Sequence, residues 1–218
     1  MNFKIMVKEL DLKTIDSKEK AFLIGATSSH LIKYWKTSKE LLAKNILRIE
    51  WCLASFNDDS FKGENQKEII KNWFIKNFGD YLDKIEITPN KFGNENWWIN
   101  IYFRITDDSK NNIEKYIPVK KDLYDYYIRG MFGSFSFRKN FPASHTSSNY
   151  PFCIIGNNNF LKTLSKKLND YYKLTEYHLH IDNSPKKFGY LSYLKNKENT
   201  EYFNSIFEKT QDLFDFEF

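Results

Sequence analysis

The sequence predicts an α+β fold built from two pseudo-symmetric αββαββα repeats, and three observations carry that prediction. Helical-period and alternating apolar–polar stretches follow one another in the same order twice along the chain. Residues 21–30 and 126–135 share one pattern, in which Gly25 aligns with Gly130, Ser29 with Ser134 and His30 with Phe135 without a gap. With 218 residues, 41% of them hydrophobic, the chain can bury one large core or those of two fused units. The expected repeats span 17–118 and 119–218, with 1–16 as an N-terminal extension.

Each element has its own warrant. After the first small-residue helix, 31–36 and 45–54 read as a strand pair, the latter mixing β-branched, aromatic and charged residues in near alternation. Residues 65–78 carry Ile69, Ile70, Trp73, Phe74 and Phe78 at helical spacing. Strands are expected at 84–87 and 97–105, and a short helix over 109–116 ends before Pro118. In the second half, 135–139 and 151–155 are strands joined by a polar loop. A helix over 158–172 presents Phe160, Leu161, Leu164 and Leu168. Strands at 177–181 and 188–194 flank a turn, and 200–213 closes as a helix.

Composition narrows the classes of function. Cys52 and Cys153 are too few and too far apart in sequence for a disulfide framework or a zinc site. No apolar run reaches the ~18 residues of a membrane span, and the first residues lack a signal-peptide core. The expected location is therefore intracellular. The net charge of +5 favours polyanions modestly. Only Arg48, Arg104, Arg129 and Arg138 are arginines, and lysine, asparagine, isoleucine, phenylalanine and tyrosine abound. That bias marks an AT-rich genome, so the location is mitochondrial if the gene is organellar, and otherwise the cytoplasm of a low-GC bacterium.

The paired motifs, Ala21-Phe22-Leu23-Ile24-Gly25-Ala26-Thr27-Ser28-Ser29-His30 and Tyr126-Tyr127-Ile128-Arg129-Gly130-Met131-Phe132-Gly133-Ser134-Phe135, resemble the signature of the LAGLIDADG homing endonuclease family in its monomeric two-repeat form. The resemblance implies that each repeat carries a four-stranded antiparallel saddle sheet. It also implies that Gly25, Ala26 and Ser29 of one motif helix meet Gly130, Gly133 and Ser134 of the other. In that family the last motif position is an acid that binds a divalent metal. Here those positions are His30 and Phe135, so no catalytic residue, metal site or cofactor is expected, with Mg²⁺ entering only if nuclease activity is retained. Arg129, inside the second motif, reads as a structural arginine that salt-bridges or caps nearby carbonyls.

The resemblance therefore implies a catalytically inactive nucleic-acid-binding protein. The expected partner is structured RNA, slightly ahead of DNA, in an organellar ribonucleoprotein such as the mitochondrial ribosome, with neighbouring proteins and no membrane. Two alternatives stay open: a homing endonuclease with residual Mg²⁺-dependent cleavage of double-stranded DNA, and a DNA-binding regulator from a phage or plasmid. The expected nucleic-acid-binding residues are Lys33, Lys36, Lys39, Arg48, Arg138, Lys139, Lys186 and Lys187, mainly through phosphates. His178 and His180 share one strand face and read as surface or groove histidines. A fused repeat needs no homodimer.

Overall fold

The structure, a computed structural model, describes residues 7–34, 39–53, 63–89, 97–110, 117–118, 120–133, 152–172, 174, 177–180, 188–194 and 196–213. Contacts gather the chain into two units, one of residues 1–14 with 34–111 and one of residues 15–33 with 112–218.

The first unit is a three-stranded antiparallel sheet with a helix on one face. Its strands are β1 (Ile46–Leu53), β2 (Leu82–Pro89) and β3 (Trp97–Arg104), in the order β1-β3-β2. In the central strand β3, Ile99, Ile101 and Phe103 are fully buried, while Asn100, Tyr102 and Arg104 occupy the opposite face. That period of two makes one side of the sheet a core and leaves the other polar. Helix α3 (Gly63–Phe78) covers the apolar side with Ile70, Trp73, Phe74 and Phe78. The rings of Phe74 and Phe78 lie 5.9 and 5.7 Å from that of Phe103. Short helix α2 (Lys39–Ala43) leads into β1 through Asn45, whose φ of 59° is a left-handed conformation that asparagine tolerates. The N-terminal segment is fastened to the end of β3. Leu10 bridges Ile105 in parallel, and the Leu12 amide donates to the buried Ser109 hydroxyl at 2.9 Å.

The second unit holds helices α1 (Lys18–Tyr34), α4 (Tyr124–Gly133), α5 (Asn158–Tyr172) and α6 (Lys197–Lys209), with strands β4 (Phe152–Asn157), β5 (Tyr177–His180) and β6 (Phe188–Tyr193). The sheet order is β4-β6-β5, all antiparallel. Helix α1 starts where the Ser17 hydroxyl accepts from the Lys20 amide at 3.2 Å, and α6 where the Asn196 side chain accepts from the Asn199 amide at 2.8 Å. Residues 21–26 of α1 are buried on every side. Such burial suits a helix without charge over that stretch.

Gly25 and Gly130 explain how closely α1 and α4 approach. A Cβ placed on Gly25 would fall on the Tyr127 carbonyl, and one on Gly130 would fall on the Phe22 carbonyl, 2.8 Å from the Ala26 amide nitrogen. Backbone touches backbone there, which any side chain would prevent. On the inner face of the sheet, Leu191 and Tyr193 are fully buried beneath Phe160, Leu161, Leu164 and Leu168 of α5 and Phe203 of α6.

The expected pair of αββαββα repeats with four-stranded saddle sheets is corrected by this architecture. Each sheet has three strands among the described residues. In the first half the strand expected at 31–36 is, in its described part, helical: residues 31–34 continue α1. No glycine or proline interrupts the chain from Ala26 to Tyr34, and extending an existing helix gains a hydrogen bond for each residue fixed. The helix therefore runs on through the β-branched Ile32. The second-half strand expected at 135–139 lies outside the described residues. The helix expected over 109–116 is, in its described part, a 3₁₀ turn at Asp107–Lys110.

Candidate nucleic-acid interface

The polar face of the first unit's sheet is a row of interlocked side chains. In register, Arg48 of β1 and Lys84 of β2 flank Tyr102 of β3, while Glu86 lies beside Asn100. The Arg48 Nε donates to Asn100 Oδ1 at 3.0 Å. Glu86 accepts twice, from Lys84 Nζ at 2.7 Å and from the Tyr102 hydroxyl at 2.8 Å. The same ammonium sits 4.4 Å from the centre of the Tyr102 ring. Arg104, two residues along β3, reaches Asp83 at 3.1 Å. Asn100 and Tyr102 keep only 8% exposure because the longer side chains lie across them.

Electrostatics follow from these contacts. The Lys84 hydrogen bond, reinforced by the Tyr102 hydroxyl, holds the Glu86 carboxyl below the usual glutamate range. Glu86 in return raises the Lys84 ammonium. Burial, and then the bond to Glu86, raises the Tyr102 phenol. Arg48, Lys84 and Arg104 thus present three cations on one face, with Lys84 bonded to Glu86 and Arg104 to Asp83. Exposed ion pairs of this kind are worth ~0–1 kcal/mol, so a phosphate can displace an acid from its lysine or arginine at little cost.

The open face of the second sheet is different. His178 lies opposite Ser192, and His180 opposite Tyr190. The His180 and Tyr190 rings stack with centroids 4.9 Å apart and planes 14° from parallel. Both histidines are exposed, and Tyr190 is 38% exposed.

A third cluster joins the helices of the second unit. Arg129 of α4 is buried, and its Nη1 donates to the Phe207 carbonyl at 3.2 Å and to the Thr210 hydroxyl at 3.0 Å, at the C-terminal end of α6. Its guanidinium lies 4.4 Å from the Phe207 ring centre. Burial pulls this group down to about 10, leaving it charged at neutral pH and favourably placed against the helix's carbonyl end. Asp212 accepts from Lys18 Nζ at 3.0 Å and from the Tyr126 hydroxyl at 2.9 Å. Burial and Asp212 push the Tyr126 phenol up to about 12. These contacts tie the helices together.

Of the expected phosphate-binding residues, Arg48 lies on the polar sheet face. Lys39 begins α2, and Lys33 lies in the last turn of α1, with its backbone alone described. Lys36, Arg138, Lys139, Lys186, Lys187, Ser134 and Phe135 fall outside the described residues. Ser29 and His30 are within α1 and Gly133 ends α4, their side chains likewise undescribed, whereas Gly25, Ala26 and Gly130 lie at the α1–α4 crossing. Among the described residues no three histidine, cysteine, aspartate or glutamate side chains gather as a metal site, and no helix is long and apolar enough to cross a membrane.

Lys84, Glu86, Asn100, Tyr102 and Arg104 were not singled out by the sequence patterns, although the alternation of Asn100, Tyr102 and Arg104 with Ile99, Ile101 and Phe103 carries the signal. Tyr190 could be matched to His180 only once the strand register was known. No protein-family model matches the chain, and neither a curated protein nor a solved structure matches it. With three-stranded sheets in place of the four-stranded saddles, the LAGLIDADG-type two-repeat architecture does not describe this chain.

Proposed function

We propose that this protein binds nucleic acid, RNA ahead of DNA, through the open polar face of its first sheet. The observation that carries the reading is the cross-strand row of Arg48, Tyr102 and Lys84, with Asn100 and Arg104 beside it. A helix-backed sheet whose outer face presents the cations of Arg48, Lys84 and Arg104 above Asn100 and Tyr102 supplies what phosphates take up: charge-assisted hydrogen bonds. The scarcity of arginine favours contact with the backbone over base readout, since lysine meets phosphate as a point charge while guanine is most often read by arginine. The AT-rich residue bias supports a role within an organellar ribonucleoprotein such as the mitochondrial ribosome.

Two measurements test the reading. Fluorescence anisotropy with an RNA hairpin, repeated from low to physiological salt, is expected to show log affinity falling linearly with log salt. Arg48→Ala and Lys84→Ala are each expected to reduce that slope by about one phosphate contact and to weaken all sequences alike. Crosslinking in the native extract followed by sequencing of the attached strand identifies the partner. Absence of any salt-dependent binding, or slopes unmoved by both substitutions, refutes the proposal.

A further inference from the structure

We infer that the edge of the second sheet carries a separate stacking platform for an unpaired nucleobase, formed by His180 and Tyr190; this rests on the nucleic-acid reading above. The two residues face each other directly across β5 and β6, and their rings are nearly parallel, 14° apart with centroids 4.9 Å apart. Both stand on the open side of the sheet. The alternate residues Leu191 and Tyr193 point into the core.

The order β4-β6-β5 puts β5 at the edge, and among the described residues no strand pairs with its outer side. His180 is exposed, so among the described residues a third planar ring can extend the stack from its outer side. The neighbouring backbone is built to hold His180 in place. A Cβ on Gly189 would fall on the His180 carbonyl, so only glycine lets β5 come this close to β6 beside Tyr190.

The occupant is argued from shape and charge. A stack of two exposed aromatic rings suits a flat heterocycle that can lie parallel to them and continue the stack. Almost all of the chain's net positive charge falls on residues 15–33 and 112–218, so the base would be drawn in on its phosphate backbone. A base inside a duplex cannot reach the platform, because both of its faces are already stacked. The ligand is thus an unpaired base in a single strand or loop.

The test compares three labelled probes at one salt concentration: oligo-uridine and oligo-thymidine of about 12 nucleotides, and a blunt-ended, fully paired RNA duplex without a loop. His180→Ala and Tyr190→Ala are expected to weaken single-strand binding about tenfold, with duplex binding unchanged, while Tyr190→Phe retains the affinity. Loss confined to oligo-uridine assigns RNA; loss with both strands assigns an unpaired base on either sugar. As a check independent of substitution, ultraviolet crosslinking of oligo-uridine to the unaltered protein is expected to modify Tyr190 or His180. If the protein binds single strands, but the alanine variants bind them equally or the crosslinks fall only elsewhere, the platform is refuted and the first-sheet reading stands. If no probe binds at low salt, both are refuted.

Discussion

Replacing Gly130 with alanine is the sharpest test of the close helix crossing. The added methyl would overlap the Phe22 carbonyl and lie 2.8 Å from the Ala26 amide nitrogen, both backbone atoms that no rotamer change can move. Helices α1 and α4 must then separate by roughly 1 Å, a gap that forfeits a quarter to a half of each dispersion contact across it. The crossing is lined by Phe22, Ala26, Tyr127 and Ile128, all essentially without solvent exposure. With several tens of atom pairs at ~0.1–0.2 kcal/mol each, the loss is about 3 kcal/mol, within the range for overpacked cores. Alanine's better helix propensity returns ~1 kcal/mol. The net expectation is destabilisation by about 2 kcal/mol, or a midpoint lowered by about 4–8 °C for a chain of this size. The assay is thermal and urea unfolding followed by circular dichroism. Gly79→Ala is the control, since nothing lies within 4 Å of its added carbon, and it is expected to change stability by less than about 0.5 kcal/mol. A Gly130→Ala protein as stable as the unaltered one would show that these backbones do not touch.

Three further outcomes follow from the same geometry. Arg129→Met is expected to cost about 2–4 kcal/mol in urea unfolding, because the Phe207 and Thr210 oxygens lose their donor in a buried setting, and Arg129→Lys is not expected to restore both bonds. Glu86 is ionised more readily when folded than when unfolded, so its contribution is present above the ordinary glutamate pKa of about 4.3 and is lost as pH falls through its lower folded value. The stability difference between the unaltered protein and Glu86→Gln should therefore shrink on acid titration; a difference constant from pH 7 to the acid limit contradicts the network. Tyr126 is shifted the other way, to about 12, so its contribution is complete below the unfolded tyrosine value of about 10 and declines as pH rises toward 12. Tyr126→Phe should flatten that alkaline decline, and an unchanged slope of stability against pH between 10 and 12 argues against the bond to Asp212.

What could be read from the sequence was local, and the reason is periodicity. Ile70, Trp73, Phe74 and Phe78 announce a helix with one buried side, and α5 begins and ends where its leucine spacing places it. The alternation in β3 marks a half-buried strand from its own residues alone. The end of α1 was not legible, because residues 31–36 suit a strand about as well as a helix and elongation of the existing helix decided between them. Cross-strand partners were beyond any local pattern: whether Tyr102 meets Lys84 and Arg48, or Tyr190 meets His180, depends on register, and a shift of one residue would turn every side chain to the other face. The sequence by itself therefore determined the segments with a clear period, α3, α5 and β3, and their apolar faces, and left open where α1 ends. Tertiary structure alone decided that the described strands form two sheets of three, that the polar groups of three separate segments form one row, and that Arg129 ends its search for partners at the C-terminal end of α6, because those outcomes depend on which distant segments approach each other.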